Sequence, residues 1–187
     1  VVVAGTCAEY DWTAPMPLDE RTSATAGATR YARAKNELRA SLEEISSSAG
    51  ISAAWARLFF LYGPGEKVER LVPYVVTSIL NGEPALCGNG AERRDFMYID
   101  DAGRALLALL FSNVEGPVNV ASGEAIAVGD LAIAAGRLLD RERLVRLGAR
   151  PETGEKPPLV VVGHGLNFVL ALMGAVADDA ESVGDRL

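Results

Sequence analysis

The order of apolar and helical segments is the feature that most constrains the fold of this chain. The chain opens on an apolar, β-branched run, Val1-Val2-Val3, which is typical of a buried strand. A helical pattern follows from Arg30 to Ser48, with Gly50 as its stop signal, and a second buried run extends from Ile51 to Leu61. Strands that alternate with helices of roughly ten or more residues predict an α/β fold with a parallel sheet.

The same alternation continues to residue 147. Further strands are predicted over Asp95–Ile99, Pro117–Ala121 and Leu144–Leu147. Further helices are predicted over Val68–Asn81, from Asp100-Asp101 to about Phe111, and over Val128–Leu139. Asp100-Asp101 is expected to cap the helix that ends near Phe111. A buried parallel strand has neighbours on both sides, so a chain that opens on one is expected to be the C-terminal portion of a larger protein.

Composition disfavours several classes of function. The 18 Lys and Arg against 25 Asp and Glu give a net charge of −7, whereas nucleic-acid binding requires a clustered basic surface. Cys7, Cys87 and the single histidine His164 cannot supply a disulfide framework or a zinc cluster. The first apolar run is not preceded by the charged segment of a signal peptide. We therefore expect a soluble, cytoplasmic protein without a metal site.

Tyr31 and Lys35 form the first candidate for chemistry. Their i, i+4 spacing places both on one face of the predicted helix. An ammonium beside a phenol favours the phenolate, which can then exchange a proton with a substrate oxygen. Thr6 follows the opening strand, and ligands of open α/β sheets bind beyond the carboxyl ends of the strands. The Tyr-x-x-x-Lys spacing alone is common on solvated helix faces.

Four motifs in series are more specific than that spacing. They are Thr6-Cys7-Ala8-Glu9-Tyr10, the Tyr31/Lys35 pair, Arg57-Leu58-Phe59-Phe60-Leu61-Tyr62-Gly63-Pro64 and Arg94-Asp95-Phe96-Met97-Tyr98-Ile99-Asp100-Asp101. Over residues 1–158 the chain resembles the extended short-chain dehydrogenase/reductase family, specifically its NAD-dependent epimerase/dehydratase branch, which acts on nucleotide sugars. The resemblance implies a partial Rossmann-type, doubly wound parallel sheet with a small C-terminal α/β substrate-binding lobe.

The resemblance also implies three segments. Residues 1–66 would be the C-terminal part of the NAD(P)-binding domain. Residues 67–158 would form the substrate-binding lobe, with a strand and a helix that return to the core. Residues 159–187 would be a divergent tail. The implied cofactor is NAD or NADP, the implied substrate is a nucleotide sugar, and the full-length parent would be a homodimer that pairs through the helix bearing the tyrosine.

Individual roles follow from the same resemblance. Tyr31 is expected to be the general acid/base, Lys35 to favour its ionised form and to bind the nicotinamide ribose, and Thr6 to polarise the substrate C–O bond. Phe59 is expected to lie beside the nicotinamide.

Two arginines are expected to bind the substrate diphosphate. Arg94 matches the family's phosphate-binding arginine, and Arg70 is a second candidate for the same region. The alternative for Arg94 is a surface ion pair with Asp95 or Glu92.

Three departures from the family pattern bear on the activity of this chain and on the reactions that it could catalyse. The chain contains no Gly-rich dinucleotide fingerprint, so alone it is expected to be inactive and to bind NAD(P) very weakly. Phe60 stands where the family usually has a phosphate-binding asparagine. Cys7 and Ala8 stand where 4,6-dehydratases have Asp-Glu, and Glu9 lies one position after that pair. This departure disfavours a dehydratase. An epimerase or 4-ketoreductase is therefore predicted. A non-catalytic binding or regulatory protein on the same fold is the alternative.

The stretch from Leu159 to Ala177 lacks any formally charged residue over 19 positions. That length is just sufficient to span a membrane, but the stretch contains His164, Asn167 and three glycines and lacks flanking anchors. A divergent C-terminus is the preferred interpretation, and no membrane partner is expected.

Overall fold

The computed structural model describes residues 1–13 and 17–150, together with the backbone of a two-residue strand at 160–161. Its first sheet is parallel, with the order β1-β2-β6, and contains β1 (Val2–Thr6), β2 (Ala54–Leu58) and β6 (Gly116–Val120). Thr6 pairs with Leu58, which in turn pairs with Val120. The three carboxyl ends therefore lie side by side at one edge of this sheet.

The other described elements include two further sheets and four α-helices. In the second sheet β5 (Arg93–Tyr98) pairs parallel with β3 (Phe60–Tyr62) and with β9 (Val160–Val161), and antiparallel with β7 (Ala125–Ala127). The third sheet joins β4 (Ala85–Leu86) to β8 (Val145–Arg146). The helices are α1 (Arg30–Ala49), α2 (Leu71–Leu80), α3 (Ile99–Leu110) and α4 (Val128–Leu138). This arrangement confirms the predicted α/β fold class, while the division of the chain at residue 66 stays a prediction.

Helix α1 begins and ends where its local signals predict. The Thr29 side chain accepts a hydrogen bond from the Ala32 amide, which satisfies one of the free N–H groups of the first turn. Gly50 ends the helix in the left-handed conformation, with φ of 64°. Glycine adopts that conformation without steric penalty, so the stop predicted at Gly50 is confirmed.

Two sequence expectations need correction. The run from Ile51 to Leu61 is not one strand, because the chain passes from the first sheet to the second at Phe59, whose amide donates to the Val120 carbonyl. Asp100 and Asp101 do not cap α3. The cap residue is Tyr98, without a side-chain hydrogen bond, and both aspartates lie in the first turn. There their negative charge complements the positive end of the helix dipole.

Apolar side chains form three buried clusters in the described residues. The first packs α3 against the first sheet through small residues such as Ala56 and Ala105. The second lies beneath the segment after β1 and consists of Cys7, Tyr10, Leu18, Phe59 and Ala121. The third joins α2 to α4. The second cluster matters most for function, because it supports the carboxyl edge of β1.

Within the described part of the chain, no helix is both long enough and apolar enough to cross a membrane. The predicted tail from Leu159 to Ala177 lies outside the described residues, apart from the backbone of β9.

Candidate functional site

Thr6 ends β1 and caps a short 3-10 helix, Cys7–Glu9. Its hydroxyl oxygen accepts a hydrogen bond from the Ala8 amide at 3.3 Å, and its own amide donates to Glu9 Oε1 at 2.8 Å. A threonine hydroxyl that accepts one hydrogen bond still has a hydrogen to donate. Thr6 is therefore a fixed donor at the carboxyl edge of the sheet, where ligands of such sheets bind.

Lys35 connects α1 to the same strand. Its Nζ donates to the Ala4 carbonyl oxygen at 2.9 Å, two residues before Thr6. An ammonium has three N–H donors, so this bond leaves two for a ligand. Tyr31, one turn earlier on α1, is 56% exposed and is accessible to a substrate. The structure thus links Lys35 directly to the strand of Thr6 and leaves Tyr31 open to solvent.

The Glu9 carboxylate is inaccessible to a substrate. Its side chain is fully buried and accepts hydrogen bonds from Thr6 N, Trp55 Nε1 and Arg57 Nε at 2.8–3.0 Å. The carboxylate is thus held by three donors, one of which is its ion-pair partner Arg57, and all of them belong to the protein. Sequence reasoning placed Glu9 one position away from the dehydratase acids and missed this network. The available signals were Arg57 within an apolar run and Gly5 within a strand.

The side chain of Phe59 lies in the core and is largely inaccessible to solvent. Its side chain is 5% exposed and packs in the cluster beneath Thr6 with Cys7, Tyr10 and Leu18. A ligand at the carboxyl edge can therefore contact little of its ring. Phe59 supports the site from below.

Arg94 and Arg70 line one cavity of about 150 Å³ between β3, β5 and the start of α2. The Arg94 guanidinium pairs with Glu92 and lies over the Phe60 ring, 4.9 Å from its centroid, while its buried Nε has no partner among the described residues. The ion pair with Glu92 is the alternative that the sequence left open for Arg94. The exposed Arg70 pairs with Glu66 on the same cavity wall.

A larger cavity of about 490 Å³ lies elsewhere. It is lined by the second half of α1 and by residues at the amino ends of β2 and β6, such as Ala53 and Gly116. Thr6 lies at the opposite end of the strands, so this cavity is separate from the candidate site.

Cys7 is expected to be chemically inert. Burial raises the pKa of its thiol to about 12, so the thiolate is not formed near neutral pH. We expect Cys7 to resist alkylation by iodoacetamide in the folded protein at pH 8 and to react after unfolding in guanidinium. The unfolded thiol ionises near 9.0 whereas the folded thiol does not, so this group lowers the free energy of unfolding as pH rises above 9.0. Rapid alkylation of the native protein at Cys7 would contradict this assignment.

The known proteins that match this chain include epimerases and dehydratases. The model of the NAD dependent epimerase/dehydratase family matches residues 1–129. A dTDP-glucose 4,6-dehydratase of Mycobacterium tuberculosis is 29% identical over 141 residues, which are 75% of this chain and 33% of that protein.

Solved structures match over most of this chain. The UDP-N-acetylglucosamine 4-epimerase of Methanobrevibacter ruminantium, in complex with UDP-N-acetylmuramic acid, has a TM-score of 0.78 and 22% identity over 92% of this chain and 55% of that one. DesIV, a dTDP-glucose 4,6-dehydratase of Streptomyces venezuelae with NAD and TYD bound, has a TM-score of 0.75 and 20% identity over 92% of this chain and 53% of that one. The chain thus spans between a third and about half of the length of these relatives.

Proposed function

The chain belongs to the NAD-dependent epimerase/dehydratase family, and from that premise we propose that its site oxidises a hydroxyl-bearing carbon of a nucleotide sugar to a ketone or reduces such a ketone. The proposed reaction is that of an epimerase or a 4-ketoreductase. The observation that carries the proposal is the direct link between Lys35 and β1, beside the fixed hydroxyl of Thr6. Thr6 offers a donor to the reacting sugar oxygen, and Lys35 offers donors to the nicotinamide ribose.

The proposed roles follow from position and chemistry. Thr6 donates a hydrogen bond to the substrate oxygen. Tyr31, which is open to solvent, exchanges a proton with that oxygen through its hydroxyl. Lys35 keeps two N–H donors for a ribose hydroxyl. Thr6 and Tyr31 thus hold the reacting oxygen and move its proton, while Lys35 holds the cofactor.

The residues present fit the nicotinamide ribose end of NAD(P), because the Lys35 ammonium has unused donors beside β1. When bound, NAD(P) would supply hydride transfer. The chain contains no Gly-rich turn for the pyrophosphate, so Thr6, Tyr31 and Lys35 account for binding at the nicotinamide end alone. Solved relatives with bound NAD, such as the Streptomyces dehydratase, support the choice of cofactor.

The local chemistry favours an epimerase or reductase over a dehydratase. Elimination of water requires an acid and a base beside the sugar, whereas Cys7 is a buried thiol and Ala8 has no titratable group. Glu9, the carboxylate next to Ala8 in the sequence, is buried and accepts hydrogen bonds from three donors. The test is incubation of the product of the complete reading frame with NAD(H), NADP(H) and a panel of nucleotide sugars. Epimerised or reduced products would support the proposal, and products lighter by one water would instead indicate a dehydratase.

Arg94 is expected to bind the substrate diphosphate. Replacing it by glutamine removes a charge-assisted hydrogen bond and should weaken binding of a nucleoside diphosphate roughly 10- to 100-fold. Isothermal titration calorimetry with UDP, CDP and dTDP measures this change. Arg104→Gln on the exposed face of α3 is the matched control and should leave binding unchanged. Equal effects of the two substitutions would exclude a specific role for Arg94.

A further inference from the structure

An ion pair lies buried directly beneath Thr6. Glu9 and Arg57 are 0% and 2% exposed, and Arg57 Nε donates to Glu9 Oε2 at 2.9 Å. Removing two charges from water is costly, and apolar side chains of similar volume often stabilise a core equally well. Stability alone therefore does not account for this pair.

The carboxylate of Glu9 fixes the backbone of Thr6. It accepts the Thr6 amide at 2.8 Å, and Trp55 Nε1 donates to both of its oxygens at 2.9 and 3.0 Å. The hydroxyl of Thr6 is in turn oriented by the Ala8 amide. Backbone and side chain of Thr6 are thus both held by the 3-10 turn that ends in Glu9.

Gly5 allows the carboxylate to lie against β1. A Cβ atom at this position would lie 2.2 Å from Trp55 Nε1 and 2.7 Å from Glu9 Oε1, closer than atoms of neighbouring side chains approach. Any larger residue would therefore displace the indole or the carboxylate. The close packing of the Glu9 carboxylate and the Trp55 indole against β1 therefore depends on glycine at position 5.

Arg57 extends the network to the segment that leads to α1. Its Nη1 donates to the Tyr10 hydroxyl at 2.9 Å, and that hydroxyl donates to Asn119 Oδ1 at 2.8 Å. The Asn119 side-chain amide donates to the Leu18 carbonyl at 3.0 Å. One buried network therefore ties the residues after Thr6 to β2 and β6.

We propose that Glu9, held by Arg57, is a positioning residue that aims the Thr6 hydroxyl at the reacting oxygen of the substrate. Glu9 exchanges no proton with the substrate and acts only through Thr6. This inference rests on the proposed function, since it assigns a role within that same site.

The decisive variant replaces both charges, Glu9→Met with Arg57→Met, in the product of the complete reading frame. No buried charge is left unpaired, but the Thr6 amide and the Trp55 indole N–H lose their acceptor, so we expect a folded protein with a thermal stability below that of the wild type. We expect kcat to fall about 10²-fold, as when one donor to a developing oxyanion is lost. KM should stay unchanged because the diphosphate is bound elsewhere. If the pair serves only stability, kcat of the variant should equal the wild-type value at temperatures where the variant is fully folded, and that result would overturn the proposal.

A double-mutant cycle tests whether Glu9 acts on catalysis through Thr6. Thr6→Val should reduce kcat strongly in the wild type but little in the double-Met background, because the hydroxyl is already misaligned there. Full additivity of the two losses would show that Glu9 does not act through Thr6. Should the double variant unfold, the same cycle is run with Glu9→Leu and Arg57→Leu, which likewise leave no buried charge unpaired and no acceptor for the Thr6 amide.

The amide proton of Thr6 gives a readout that does not depend on turnover. Donation to a carboxylate should shift its NMR resonance downfield and protect it from exchange in the wild type. The shift should disappear in the double-Met variant, which has no acceptor at position 9, while the other β1 amides stay unchanged, and its persistence would contradict the positioning role. A wild type without turnover would refute the proposed function, whereas the amide would still show whether Glu9 fixes Thr6.

Discussion

Replacing Tyr31 with phenylalanine is expected to lower kcat by roughly 10²- to 10⁴-fold, the usual contribution of a positioned acid/base. The substitution removes one hydroxyl from a side chain that is 56% exposed, so the free energy of unfolding should not change. Steady-state kinetics with the product of the complete reading frame, together with calorimetric titration of the cofactor, separate catalysis from binding.

Tyr98→Phe is the matched control. It removes a hydroxyl from a tyrosine on β5 whose ring packs against Tyr62 with centroids 5.6 Å apart. This control should retain wild-type kcat. If Tyr31→Phe also retains it within a few-fold, another group transfers the proton and the assignment of Tyr31 is wrong.

Arg57→Met alone is expected to reduce the free energy of unfolding by about 3–5 kcal/mol, because it leaves the buried Glu9 carboxylate without its ion-pair partner. Urea unfolding followed by tryptophan fluorescence measures the change, since Trp55 donates to the same carboxylate. The loss should be larger than for any single substitution of an exposed ion pair.

Arg104→Met makes the same chemical change in an exposed ion pair with Asp101 on α3. It should cost less than about 1 kcal/mol, because solvent screens exposed charges. Equal losses in the two variants would mean that the Glu9–Arg57 pair contributes no more than a surface contact. The role of the buried network in holding Thr6 would then lack support.

The parts of the fold set by local signals could be predicted from the sequence. Helix α1 has a threonine at its start and Gly50 at its end, so its bounds follow from capping. The position of Thr6 at the end of β1 follows similarly from a short β-branched run. The family resemblance rested on motif order and is confirmed by the match of residues 1–129.

Features that depend on distant partners could not be predicted in this way. Phe59 lies between the apolar residues Leu58 and Phe60, so nothing local marks it as the point where the chain changes sheets. The bond between Glu9 and Arg57 joins residues 48 positions apart. A charged residue in a buried run indicates that a partner exists, but only the packing of β1 on β2 identifies it.

Hydride transfer at the sugar carbon is the central claim, and isotope transfer tests it most directly. The product of the complete reading frame is incubated with oxidised NAD or NADP and a nucleotide sugar deuterated at the carbon that bears the reacting hydroxyl. The account predicts that deuterium passes to the nicotinamide of the wild-type protein and that Tyr31→Phe abolishes this transfer. Release of the deuterium to water, with no reduced nicotinamide formed, would contradict it.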